Sequence, residues 1–127
     1  MKTKFQQLVE TVATLRGPEG CPWDKKQTHE SLIKCLQNES QELIEAIEKK
    51  DDENMKEELG DVLLQVLMHA QIAQEEGKFS LQDVIVYLDE KLHRRHPHVF
   101  GGHAKAASPE EALAVWREMK KKERGQK

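Results

Sequence analysis

The chain has 127 residues, enough for one domain and short for two ordinary ones. Charged residues make up 34% and aromatics only 5%, with 23 acids against 20 bases for a net charge of −3, so the sequence lacks the basic field of a general nucleic-acid coat or a membrane-surface binder. No apolar run nears the roughly 18 residues of a membrane span, no signal-peptide pattern follows Met1–Lys2–Thr3–Lys4, and Cys21 and Cys35 without CxxC spacing point to a reduced, cytoplasmic protein.

The expected architecture is a single all-α domain over 1–127, a bundle of about five helices with a charged tail from about residue 120. Phe5, Leu8, Val9, Val12 and Leu15 recur at helical spacing and define a first amphipathic helix that stops at Gly17–Pro18. Two glycines and two prolines mark 17–26 as a loop, with Trp23, Lys25 and Lys26 on it. Asp24 or Thr28 can cap a second helix to about Lys49, with Leu32, Leu36, Leu43 and Ile47 in line. A break at Asp51–Asp52 leads to a third helix with Met55, Leu59, Val62, Val66 and Ala70 or Ala73 inward, ended by Gly77. Ser80 and Asp83 are placed to cap a fourth helix carrying Val84, Leu88 and Leu92, bounded by an extended loop from His96 to Gly102. Ser108–Pro109–Glu110–Glu111 opens a fifth, holding Leu113, Trp116 and Met119. One such chain has a modest core, which association into a homo-oligomer would enlarge.

Four acids break this pattern. Glu39 falls within the apolar ladder of the second helix and Glu42 follows three residues on; Glu58 and Asp61 repeat that spacing on the third. A spacing of three puts each pair on one helix face. Counted from the Asp51–Asp52 break, the pairs lie about 11 residues back and about 8 forward, so at ~1.5 Å per residue an antiparallel hairpin sets them within one turn in height. Either the acids are solvated or paired with Lys34, Lys49 and Lys56, or they form an all-oxygen cluster of the kind Mg²⁺ or Mn²⁺ prefers.

Glu39-x-x-Glu42 and Glu58-x-x-Asp61, the latter running on as Val62–Leu63–Leu64–Gln65, resemble the MazG nucleoside triphosphate pyrophosphohydrolases. The stretches Arg16 to Asp24 (RGPEGCPWD), Glu75 to Phe79 (EEGKF) and Arg94 to Gly101 (RRHPHVFG) are similar to the same family, specifically to the N-terminal of the two such domains that typical members carry in tandem. The resemblance implies an all-α fold, usually an intertwined dimer or higher homo-oligomer. It also implies Mg²⁺-dependent hydrolysis of a nucleoside triphosphate, NTP or dNTP, to monophosphate and pyrophosphate, and it places the metal ligands on Glu39, Glu42, Glu58 and Asp61. Family members commonly begin the first motif with two adjacent acids, and here the first is Asn38, which can donate a hydrogen bond where Glu only accepts. The alternative is a nucleotide-binding or oligomerisation module of the same fold without turnover.

Substrate contacts are expected from Arg94 and Arg95, whose forks suit phosphate unless they pair with Asp89 or Glu90, and from Lys25 and Lys26 unless these are simply solvated. Trp23 could stack on a base or plug the core beside Pro22. His93, His96 and His98 only loosely resemble a transition-metal set, His29–Glu30 lacks the second histidine of a zincin helix, and His69 reads as a hydrogen-bonded histidine of the third helix.

Overall fold

The computed structural model describes residues 1–102 and 105–125, and every regular element among them is helical. The chain divides into two compact units, Met1–Leu81 and Gln82–Lys127.

In the first unit, α1 (Lys4–Leu15) begins at a capping box in which Thr3 Oγ1 accepts from the Gln6 backbone N–H and the Gln6 side chain accepts from that of Thr3. The expected loop then holds a single helical turn, α2 (Pro22–Lys26), with Pro22 in its first turn. A Cβ at Gly20 would run into the Leu15 and Thr14 carbonyl oxygens, so the chain folds back there only because that residue has none. Thr28 and Ser31 exchange side-chain to backbone hydrogen bonds in the turn before α3 (Ile33–Glu48). The helix begins later than expected, with Leu32 at its N-cap and no side-chain cap, so neither Thr28 nor Asp24 is its N-cap. Asp24 lies within α2.

Between α3 and α4 (Asp52–Glu75) the backbone N–H of Lys50 bonds the Ile47 carbonyl at 3.1 Å and that of Asp51 bonds Ala46 at 3.2 Å, with Lys50 at φ 55°. These two bonds around a left-handed residue form a Schellman motif. Asp51 Oδ1 then accepts from the Asn54 backbone N–H and starts α4. The expected hairpin results, with α4 packed along α3 and also against α1. Val12, Leu32, Leu67, Met68 and Ile72 form the core, with Val9, Cys35 and Leu81 against it.

The expected inward rows are only partly inward. Val12, Leu32, Ala70 and Ala73 are buried, whereas Phe5, Leu8, Leu36, Ile47, Leu59 and Val66 are exposed. The periodicity finds the apolar stripe of each helix, and a single chain covers only part of it.

The second unit contains most of α5 (Leu81–Arg95), then α6 (Pro97–Phe100) and α7 (Pro109–Glu123). A short helix thus replaces the expected extended loop after His96, and with α2 it raises the count from five helices to seven among the described residues. Ser108 caps α7 through the Glu111 backbone N–H, as expected. The basic run Lys120–Lys122 is the last turn of this helix rather than a loose tail, where cations suit the helix dipole; Gln126 and Lys127 lie outside the described residues. Val115 is buried while Leu88, Leu92 and Leu113 are exposed.

Candidate metal centre

The α3–α4 hairpin brings the two acid pairs together. One oxygen from each of Glu39, Glu42, Glu58 and Asp61 lies within 4.8 Å of the others. Glu58 is buried, Glu39 and Asp61 are half-buried, and Glu42 is exposed, so the cluster opens on one side to solvent. Among the described residues no cation forms an ion pair with any of the four; Lys56 pairs with Glu53 instead, at 3.0 Å. The reading of these acids as lysine partners is therefore not what the fold produces.

Without a cation, protons answer the repulsion. Burial pushes the Glu58 carboxyl up to about 7, helped by its hydrogen bond with Asp61 and by the charges of Glu42, Asp61 and Glu39. Burial likewise raises Glu39, with Glu42 and Asp61 adding to it. Glu39 Oε2 and Glu58 Oε1 are buried acceptors with no hydrogen-bond partner. Two orphaned carboxylate oxygens inside an all-oxygen cluster fit a hard divalent ion, whose ligands at ~2.1 Å stand about 4 Å apart across it. Asn38, the departure noted in the sequence, is exposed.

Trp23, Lys25 and Lys26 are together on α2. Trp23 is 54% exposed, so it is not a core plug. Lys25 Nζ donates to the Pro18 carbonyl at 3.3 Å and Lys26 is exposed.

Little in the sequence shows how this turn is held. The Arg16 side chain is only 7% exposed and makes a two-pronged contact with Glu75, at 2.9 and 3.0 Å. Its Nη1 donates to the backbone carbonyls of Asp24, at 2.6 Å, and Gln27, at 3.0 Å. Arg16 and Gln71 together hold the Glu75 carboxyl below its ordinary range. Buried Gln27 donates to the Trp23 carbonyl at 2.9 Å and accepts from Ser31 Oγ at 2.7 Å. The only signal in the sequence was an arginine directly before the Gly17–Pro18 break.

In the second unit Arg94 and Arg95 pair with Glu123, at 3.3 and 3.0 Å, and not with Asp89 or Glu90. These bonds hold the Glu123 carboxyl down at about 2. Arg95 also lies over the Trp116 ring, 4.8 Å from its centre. The Nδ1 atoms of His93 and His96 lie 2.8 and 2.7 Å from the carbonyls of Asp89 and Leu92, one turn back in each case, so both rings are used structurally. Among the described residues the four-carboxylate group alone has metal-ligand geometry, and no helix is long and apolar enough to cross a membrane.

Residues 27–100 match the profile of the MazG nucleotide pyrophosphohydrolase domain. The chain is 57% identical over 123 residues to a Thermotoga maritima protein named nucleoside triphosphate pyrophosphohydrolase/pyrophosphatase MazG, covering 97% of this chain and 46% of that protein. It is 42% identical over 125 residues to an Escherichia coli nucleoside triphosphate pyrophosphohydrolase, covering 98% and 47%. The crystal structure of a MazG-related protein from Thermotoga maritima superposes with a TM-score of 0.71 at 36% identity, over 91% of this chain and 95% of that one. The chain spans about half the length of the curated relatives it matches. With both acid pairs inside the matched stretch, the chain belongs to the MazG nucleotide pyrophosphohydrolase domain family.

Proposed function

We propose that the chain is a nucleoside triphosphate pyrophosphohydrolase that cleaves NTPs or dNTPs between the α- and β-phosphates, releasing the monophosphate and pyrophosphate. The observation that carries this reading is the convergence of Glu39, Glu42, Glu58 and Asp61, with two orphaned buried oxygens, in a chain of the MazG family. These four side chains would hold Mg²⁺ or Mn²⁺. Such an ion, when bound, offsets charge on the triphosphate and holds a water acidic enough to serve as nucleophile.

The chain's own groups supply the rest. In the metal-free chain Glu58 and Glu39 hold protons more tightly than ordinary carboxyls do, so binding of the ion would release protons from the cluster. The exposed Trp23 ring offers a stacking face for a base, and Lys25 and Lys26 offer cations for phosphate oxygens. Arg94 and Arg95 are already engaged by a carboxylate, and we assign them to phosphate by exchange of Glu123 for a phosphate oxygen of like charge and geometry. The family match runs from 27 to 100, across both compact units, which supports treating the chain as one functional domain; we place it in the cytoplasm, in keeping with its free Cys21 and Cys35. The exposed apolar rows support a homodimer or higher homo-oligomer.

The test is substitution of the ligands. Glu42→Ala and Asp61→Ala are expected to lower metal-dependent turnover by about 100-fold or more, with the helical circular-dichroism signal retained. Turnover kept in a folded variant would overturn the assignment.

A further inference from the structure

The connector 27–32 joins α2 to α3 and is fixed to α4 by a contact that the chemistry above does not use. His29 Nδ1 and His69 Nδ1 are 2.7 Å apart, the ring planes are 3° from parallel, and the ring centres are 5.0 Å apart. One ring radius on each side of that N···N distance accounts for the separation of the centres. The rings therefore meet edge to edge in one plane, as in an N–H···N hydrogen bond, rather than face to face. Such a bond holds a single hydrogen: one Nδ1 donates and the other keeps its lone pair.

The surrounding charges are few. His29 Nε2 faces Glu76 Oε1 at 3.7 Å, and Lys78 Nζ lies 3.3 Å from the same oxygen. Glu30, next to His29, acts on His69 as a nearby negative charge, and Arg16–Glu75 closes over the same stretch of chain. Burial, and after it the neighbouring His29, holds the His69 ring below the ordinary histidine range.

We propose that His29 and His69 are a positioning pair that clamps the α2–α3 connector to α4, and with it Trp23, Lys25 and Lys26, and that the clamp keeps one hydrogen between the facing nitrogens and opens when both are protonated. A first added proton is tolerated, because one ring can still donate from Nδ1 to the bare Nδ1 of the other. A second proton sets two N–H groups and two positive rings against each other. The bearing of the clamp on nucleotide binding rests on the proposed function; the clamp itself does not.

Two readouts test it on the intact chain. In ¹⁵N-histidine NMR near neutral pH, one protonated and one bare Nδ1 should show a through-bond coupling to each other. In hydrogen exchange, corrected for intrinsic rates, protection of the Lys25, Gln27, Thr28 and Ser31 amides should fall by about fivefold or more between about pH 7 and pH 5, with the α1–α4 core unchanged. His69→Asn places a non-titrating amide where Nδ1 stood and should remove that step; His69→Phe should lower protection of these amides to the acid-end level at both pH values, the Arg16 contacts remaining. At the acid end His69→Asn should also keep a lower nucleotide KM than the parent at equal kcat. No coupling together with normal protection in His69→Phe would overturn the clamp. The same acid step in His69→Asn would overturn the proton limit, and a step without the KM difference would overturn the positioning role. If the chain turns over no nucleotide, the proposed function fails while the exchange result still decides the clamp.

Discussion

At the scale of single residues, protons and the proposed cation would compete for the same oxygens. Glu58 lies above its ordinary 4.5, at about 7, so the folded chain binds more protons than the unfolded one between those values. Its contribution to stability is therefore most favourable below about 4.5 and is lost as pH rises through about 7 in the metal-free chain. Glu58→Gln should accordingly stabilise the metal-free chain more at pH 8 than at pH 5.5, as read by thermal melting. Because metal ligands must shed their protons, Mg²⁺ should raise the melting temperature more at pH 8 than at pH 5.5; equal gains would contradict the cluster as the binding site. The four acids were legible in the sequence because a spacing of three fixes a shared helix face and a short turn fixes their height. Arg16 was not, because its partner Glu75 is 59 positions away and no local pattern announces such a pair.

At the scale of elements, turns decide whether the acid pairs meet. Lys50 occupies a left-handed conformation at φ 55° in the α3–α4 turn, where a side chain is strained and glycine is not. Lys50→Gly should stabilise the chain by about 0.5–1 kcal/mol in denaturant unfolding, with activity kept. A destabilised variant would mean that the turn does not carry that strain. Gly77, at φ 71° after α4, is the converse case, and Gly77→Ala should cost about 1 kcal/mol. The long helices were readable in advance, as were the Ser108 cap with Pro109 behind it and the Asp51–Asp52 break, though not that Asp51 caps α4. The two short ones were not: Pro22 and Pro97 read as breakers, yet each lies in the first turn of a helix, where its missing N–H removes nothing.

At the scale of the whole molecule, the apolar surface outruns the core. Leu36, Ile47, Leu59, Leu63, Leu64 and Val66 are exposed on α3 and α4, and Ile85, Val86, Tyr87 and Leu88 on α5. Large exposed apolar rows on a small chain mark a surface that another surface covers. Periodicity shows which residues share a stripe but not what lies against it, so the inward rows read from the sequence mixed core with surface. Sedimentation should find a homo-oligomer, and Leu59→Glu should shift it toward monomer with its helical content retained; a monomeric parent at micromolar concentration would contradict this.

The proposed reaction is hydrolysis at the α-phosphorus with a carboxylate-held metal. Its most direct test is product analysis in ¹⁸O-water, using a panel of ribo- and deoxynucleoside triphosphates with Mg²⁺ and resolving pyrophosphate from single phosphate. The expected products are monophosphate and unlabelled pyrophosphate in equal amounts, with the heavy oxygen in the monophosphate and no turnover when the metal is chelated. Label in the pyrophosphate, release of single phosphate, or no product from a folded chain would contradict it, and the last would leave a module that binds nucleotides without cleaving them.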